Sequence, residues 1–189
     1  LASENVSNII SMSLVAFGHP DDILSQVVDK AVEKGIVVVA AAGNEGFFLF
    51  SIGSPGTARK ALTIGCVDKE NFPCWFTSWG PLVSGENKPD ISAPGYQIIS
   101  ACAENSYLGR LYGCNYTENK LFIPLSGTSM STPHVAGLAA LLLNIRNTLK
   151  PEEVKSLLVQ NVVIQAIPII VGSGVVNGTE AYLSLSNYG

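Results

Sequence analysis

The sequence predicts an α/β fold organised on a parallel sheet, and three observations predict it. Residues 36–42 form a continuous apolar, largely β-branched run, Ile36-Val37-Val38-Val39-Ala40-Ala41-Ala42, the pattern of a central parallel strand covered on both faces. Ahead of it, Ile23, Leu24, Val27, Val28, Ala31 and Val32 recur at helical spacing after a strand-like stretch in residues 5–14, so strand, helix and strand make a βαβ unit. Finally, residues 125–137 run from a short apolar strand through small residues into a helix carrying Val135, Leu138, Leu141, Leu142 and Leu143, which puts the hydroxyl of Ser129 at a helix start. Open α/β sheets bind ligands outside the carboxyl ends of their strands, which directs attention to Gly43-Asn44 and to Gly127-Thr128-Ser129.

Composition bounds the rest. With 189 residues, 47% hydrophobic and 14% charged, the chain can bury one substantial core, and residues 1–189 read as one domain without repeat or linker. The net charge is −4 and the eleven Lys and Arg residues are scattered, so nothing offers nucleic acid a basic face. The apolar runs are too short for a membrane span.

Taken in order, Val6, Ile9, Ile10 and Met12 predict a buried strand that opens at Ser13-Leu14. His19, before Pro20-Asp21-Asp22, reads as a solvent-facing loop histidine. Asp21 or Asp22 can cap the first helix, and Gly35 stops it. Residues 61–67 and 74–77 read as short strands around the polar turn Asp68-Lys69-Glu70-Asn71, and residues 98–102 as another strand. Residues 103–120, with Tyr107, Tyr112 and Tyr116, read as a decorated surface hairpin. Pro151-Glu152-Glu153 opens a helix bearing Val154, Leu157 and Leu158, since Pro and acids suit a first turn.

Four cysteines permit three full pairings, of which the sequence neighbours, Cys66 with Cys74 and Cys102 with Cys114, are expected; buried free thiols are the alternative. Sequons at Asn5, Asn115 and Asn177 fit an extracytoplasmic route, so a secreted protein is expected. The first residues lack the regions of a signal peptide and the chain begins at Leu1, which leads us to expect a fragment or processed product.

Two polar residues stand out chemically. Backbone N–H groups and the macrodipole at a helix start stabilise negative charge, which makes Ser129 a candidate acyl-transfer nucleophile as well as an ordinary N-cap. Asn44 can donate its side-chain amide to an oxyanion without a charge to desolvate, although Gly-Asn after a strand is also a turn signal.

The stretches Gly127-Thr128-Ser129-Met130-Ser131-Thr132-Pro133-His134-Val135-Ala136-Gly137, Ala40-Ala41-Ala42-Gly43-Asn44-Glu45-Gly46 and Asp90-Ile91-Ser92-Ala93-Pro94-Gly95, in collinear order, closely resemble the subtilisin-like serine proteases. The resemblance implies a three-layer αβα fold with a mainly parallel central sheet, here incomplete at its N-terminal side. It implies Ser129 as nucleophile, with Asn44 and the Ser129 N–H as oxyanion donors and the Thr128 hydroxyl as a further donor. Ser13 and Leu14 would pair with extended polypeptide substrate, and Ala42, Gly43 and Gly53 would line the site. The family's glycine at the place of Gly53 lies deep in the pocket for the residue preceding the scissile bond, so a large apolar or aromatic side chain is expected there.

The family's catalytic Asp and His precede Ser in sequence. His134 matches a motif residue distinct from the catalytic histidine, and no Asp here sits in the family's Asp-Ser/Thr-Gly pattern, so an upstream segment is expected to supply both. No cofactor is required. Asp90 reads as a capping or turn residue, while the resemblance also allows calcium as a structural ion at that position; no catalytic metal is expected. Two alternatives to an endopeptidase remain at this point: an inactive relative that binds peptide or protein through the same cleft, and an esterase of Gly-x-Ser-x-Gly type, which Ser131 in the place of the second glycine disfavours.

Overall fold

The computed structural model describes residues 7–103, 105–118, 121–163 and 167–187. Four strands, β1 (Ile9–Met12), β2 (Val37–Ala41), β3 (Leu62–Val67) and β4 (Ile91–Pro94), form an all-parallel sheet in the order β1-β2-β3-β4. Between β1 and β2 runs α1 (Ile23–Glu33), capped by the Asp22 side chain accepting from Ser25 N, with Gly35 at φ 89° just beyond its end. The expected βαβ unit is present.

The apolar run divides by the period of two that a strand imposes. Val37 and Val39 face a core shared with Val135, Ala139 and Leu142 of α3 (Thr128–Ile145), whereas Val38 and Ala40 face Val28 and Val32 of α1. Both faces of β2 are therefore covered, and the sheet lies between helices as a three-layer αβα arrangement. On the α3 side, α4 (Pro151–Gln160) adds Val154 and Leu158, and a later helix, Gly178–Asn187, adds Ala181 and Leu185. Full burial of such a Val or Leu side chain is worth about 1.5–3 kcal/mol, so this apolar layer fixes how α3, and with it Ser129, sits on the sheet.

A separate antiparallel pair, β5 (Ile98–Ala101) and β6 (Phe122–Leu125), leads into α3. Between its strands lies a short helix, α2 (Tyr107–Tyr112), which the hairpin reading of residues 103–120 did not anticipate. Ser106 caps it, its hydroxyl accepting from Gly109 N at 3.0 Å. Disulfides join Cys66 to Cys74 and Cys102 to Cys114, the expected pairs. Residues 74–77 are not a strand. Cys74 N bonds to Cys66 O and Thr77 N turns back onto Cys74 O, so the segment folds as a turn against β3.

Strand β1 is shorter than the stretch read from sequence, whose first residues lie outside the described ones. Pro168–Val171 forms a short helix, α5, making the helix at Gly178–Asn187 α6. No sequence feature had been assigned to α6, although Asn177 caps its start by accepting from Thr179 N and Glu180 N. Residues 174–176 lie along the outer edge of β4: Ser92 N donates to Gly174 O and Val176 N to Ser92 O. No described helix is long and apolar enough to cross a membrane.

Candidate active site

The carboxyl ends of the sheet and the N-terminus of α3 meet at one place. Gly127 N donates to Gly95 O at 2.9 Å, which ties the turn before Ser129 to the chain leaving β4. A side chain at Gly95 would collide with Ser131 Oγ at 2.1 Å and Gly127 O at 2.7 Å, so only glycine permits this approach. The small residues of both motifs thus serve a close passage of backbones.

From β2, Asn44 reaches the same turn. Its Oδ1 accepts from Thr128 N at 2.9 Å and from Thr128 Oγ1 at 3.1 Å. With the carbonyl end doubly held, the Nδ2 end is directed away from Thr128, and it donates to no protein atom among the described residues. Thr128 itself is fully buried, and its hydroxyl also accepts from Gly43 N at 3.2 Å. A hydroxyl has one proton to give. In this structure it goes to Asn44, so Thr128 holds the asparagine rather than standing as the further oxyanion donor expected from sequence.

Ser129 occupies the second position of α3 and is partly exposed. Its hydroxyl donates to Ser13 O at 3.3 Å, and the Ser13 hydroxyl donates back to Ser129 O at 2.8 Å. The second bond has a cause in the helix. Residue 133, four positions on, is proline and has no N–H to give, so the carbonyl of Ser129 is left without its helical donor and Ser13 supplies one. The exposed end of β1, Ser13 and Leu14, is thereby fixed beside the nucleophile candidate.

Sequence comparison agrees with this geometry: the Subtilase family (Peptidase S8) matches residues 2–183. The chain belongs to the subtilase family. It is 42% identical over 163 residues to the serine protease AprX of Bacillus subtilis, covering 80% of this chain and 37% of AprX. With subtilisin DY of Bacillus licheniformis it shares 34% identity over 180 residues, covering 93% and 57% of the two chains. Among solved structures, the prenylagaramide maturation protease PagA superposes with a TM-score of 0.77 at 26% identity, over 97% of this chain and 64% of that one. The chain thus spans between about a third and two thirds of these relatives.

Within this subtilase chain the two histidines both lie apart from Ser129's hydrogen bonds. His134 Nδ1 faces Met130 O at 2.8 Å along the exposed side of α3. His19 sits in an exposed loop, accepting at Nδ1 from Asp21 N at 3.2 Å. Both placements match the sequence reading.

The remaining predicted residues, Ala42, Gly43 and Gly53, are all buried. Gly53 and Ser54 are held by a two-way backbone pairing of Ser54 with Ala16, at 2.9 Å in each direction. A Cβ built on Gly53 would meet Val15 Cγ1 at 2.3 Å and Ala16 O at 2.6 Å, and Gly53 lines a cavity of ≈ 500 Å³ together with Val15, Glu45 and Phe50.

Asp90 is neither a free turn residue nor an open ligand. Its Oδ2 accepts from Lys88 Nζ and from Thr63 N, each at 2.7 Å, and its Oδ1 pairs with Lys155 Nζ at 2.8 Å. Lys88 Nζ further donates to Ala61 O at 2.7 Å and Thr63 Oγ1 at 2.9 Å, and Lys155 Nζ to Ala61 O at 2.9 Å. Burial pushes the Asp90 carboxyl up, but Lys88 and Lys155 outweigh it and hold it below the ordinary range. Burial pulls Lys88 down to about 8 against the attraction of Asp90, with Lys155 adding to the fall. Two ammonium groups supply the positive charge beside this carboxylate. Sequence reasoning missed this network, because nothing in the spacing of Lys88, Asp90 and Lys155 announces that α4 lies over the start of β4.

Proposed function

We propose that the chain is the serine-bearing part of a subtilisin-like serine endopeptidase that cleaves polypeptides through an acyl-enzyme on Ser129. The observation that carries this reading is the pair of hydrogen bonds from Thr128 to Asn44 Oδ1, which orients the Asn44 amide beside the start of α3. In the reaction, Ser129 Oγ attacks the peptide carbonyl, and its proton passes to a histidine oriented by a carboxylate. Asn44 Nδ2 and the Ser129 N–H then donate to the oxyanion. Such a donor is worth about 2.7–4 kcal/mol in subtilisin, the case from which that range comes. Ser13 and Leu14 provide backbone for the extended substrate, while Ala42, Gly43 and Gly53 line the cleft.

The histidine and aspartate are supplied by an upstream segment of the same protein, and the protein works outside the cytoplasm, in keeping with its two disulfides. No cofactor takes part. Asp90 serves as the anion of a buried ion network.

A serine-directed phosphonate applied to the full-length protein tests this proposal. Labelling that disappears in Ser129→Ala is expected. Absence of labelling where a control subtilase reacts would overturn it in favour of a peptide-binding relative without catalysis.

A further inference from the structure

We infer that Ser78 is a positioning residue for Asn44: its backbone N–H and its hydroxyl clamp the peptide groups on both sides of that asparagine and so fix where the Asn44 amide points. The inference rests on the proposed role of Asn44 as an oxyanion donor and adds a residue that acts through it.

Asn44 is exposed, in the loop that leaves β2, and the two bonds from Thr128 hold only the Oδ1 end of its side chain. A side chain held at its tip can still move with its own backbone. Ser78 removes that freedom. Its N–H donates to Gly43 O at 3.0 Å, and its Oγ accepts from Glu45 N at 3.2 Å. The first bond fixes the peptide plane before Asn44 and the second the plane after it. Because each plane is rigid, the orientation of two consecutive planes sets the φ and ψ of the residue between them. One residue therefore governs the backbone of Asn44 from both directions. Gly46 N, donating to Phe76 O at 2.8 Å, continues the same contact between the two segments.

Packing and anchoring agree with this role. Ser78 is fully buried. Gly43 has φ 120°, and a Cβ added there would stand 2.7 Å from Ser78 Oγ, so glycine at this position lets the hydroxyl lie alongside the loop. Ser78 is itself held on both sides. Ahead of it, Thr77 Oγ1 accepts from Cys66 N of β3 at 3.1 Å, and Thr77 N donates at 3.0 Å to the carbonyl of Cys74, which is disulfide-bonded to Cys66. After it, Trp79 N donates to Ser51 Oγ at 2.8 Å and Trp79 O accepts from Ser51 N at 3.0 Å. Asn44 is thus gripped at its tip from α3 and at its backbone from a turn braced on β3. Such a double grip matters to a reaction, because a misplacement of about 1 Å can cost on the order of 10²-fold in rate.

The experiment uses the full-length protein and a serine-directed phosphonate. Ser78→Ala takes away the acceptor for Glu45 N and leaves the backbone bond to Gly43 O. The labelling rate at saturating probe should fall about five- to tenfold, less than the about 10²–10³-fold that loss of an oxyanion donor itself costs. The half-saturating probe concentration should stay within about twofold, since an oxyanion donor acts after binding. In an Asn44→Ala background the same substitution should change the rate by less than about twofold, because a residue that acts through Asn44 has nothing left to position. An equal loss in both backgrounds would overturn the inference. Two NMR readouts need no nucleophile. The side-chain amide signals of Asn44, assigned by their loss in Asn44→Ala, should shift or broaden in Ser78→Ala, while those of Asn161, whose Nδ2 donates to Leu157 O at 2.7 Å, stay in place. In wild type alone, the Glu45 amide should exchange slowly although the residue is exposed, and this measurement decides the matter if the alanine variant does not fold. Failure of wild type to label, with both NMR results as expected, would sink the catalytic proposal and leave the clamp standing. Unmoved Asn44 signals in Ser78→Ala, or an unprotected Glu45 amide in wild type, would overturn the clamp.

Discussion

Thr128→Val tests how Asn44, the proposed oxyanion donor, is held. The substitution keeps the shape of a fully buried side chain and removes one hydroxyl. Two consequences follow from the hydrogen bonds of that oxygen. Gly43 N loses its 3.2 Å acceptor in a buried setting, and an orphaned buried donor costs about 1–3 kcal/mol. Asn44 Oδ1 loses one of its two donors, a neutral hydrogen bond with a net worth of about 0.5–1.5 kcal/mol. Together these lower stability by about 2–4 kcal/mol, read as a shift of the urea midpoint at constant slope. Asn44 keeps the 2.9 Å bond from Thr128 N, so it is loosened and not released. The phosphonate labelling rate should fall on the order of tenfold, the factor that about 1.4 kcal/mol of transition-state stabilisation represents. Thr128→Ser retains the hydroxyl and should recover most of that rate. A valine variant with an unchanged midpoint and unchanged labelling would refute the account, as would a serine variant that behaves like valine.

Ser13→Ala removes the hydroxyl that donates to the Ser129 carbonyl, which Pro133 cannot serve; stability should fall by about 1 kcal/mol and labelling by a few-fold, measured by urea unfolding and probe kinetics. Asp90→Asn leaves two ammonium groups without their anion and should destabilise by about 3–5 kcal/mol in the same unfolding assay. Because the folded carboxyl of Asp90 lies below its unfolded value of 3.8, its contribution is complete above that pH and is lost as pH falls through the folded value. Acid unfolding of wild type should show this loss, and Asp90→Asn should lack that part of the slope.

Sequence showed the sheet more clearly than the contacts between its ends. Residues 36–42 announced β2 because a strand covered on both faces must be apolar at every position, and the structure divides those positions between α3 and α1. Helix α1 was equally legible, since Asp22 and Gly35 act locally. By contrast, residues 74–77 have strand-like composition but follow a turn closed onto β3, and the short α2 lies in a segment whose tyrosines gave no helical period. The candidate site residues Ser129 and Asn44 were visible as motifs. The role of Thr128 as a clamp was not, because it depends on which oxygen of Asn44 it meets.

The two edges of the sheet differ in a way that bears on how the proposed upstream segment would reach Ser129. β4 has residues 174–176 along its outer edge, whereas β1, at the other end of the order, has β2 as its strand neighbour on one side and no strand on the other among the described residues. An open edge presents backbone groups ready to pair. Parallel strands carry their carboxyl ends to the same side of the sheet, and β1 leads directly into Ser13, whose carbonyl already accepts from Ser129. A further parallel strand beside β1 would deliver the residues that follow it to the same neighbourhood. On the proposed reading, that is the route by which the upstream segment brings a base to the nucleophile. Amide exchange in the full-length protein tests it: every amide of Ile9–Met12 should be protected, on both sides of the strand, and Ser129 should label. If alternate amides of β1 exchange as freely as a surface loop while Ser129 still reacts, the base arrives by another path and the edge-pairing argument fails.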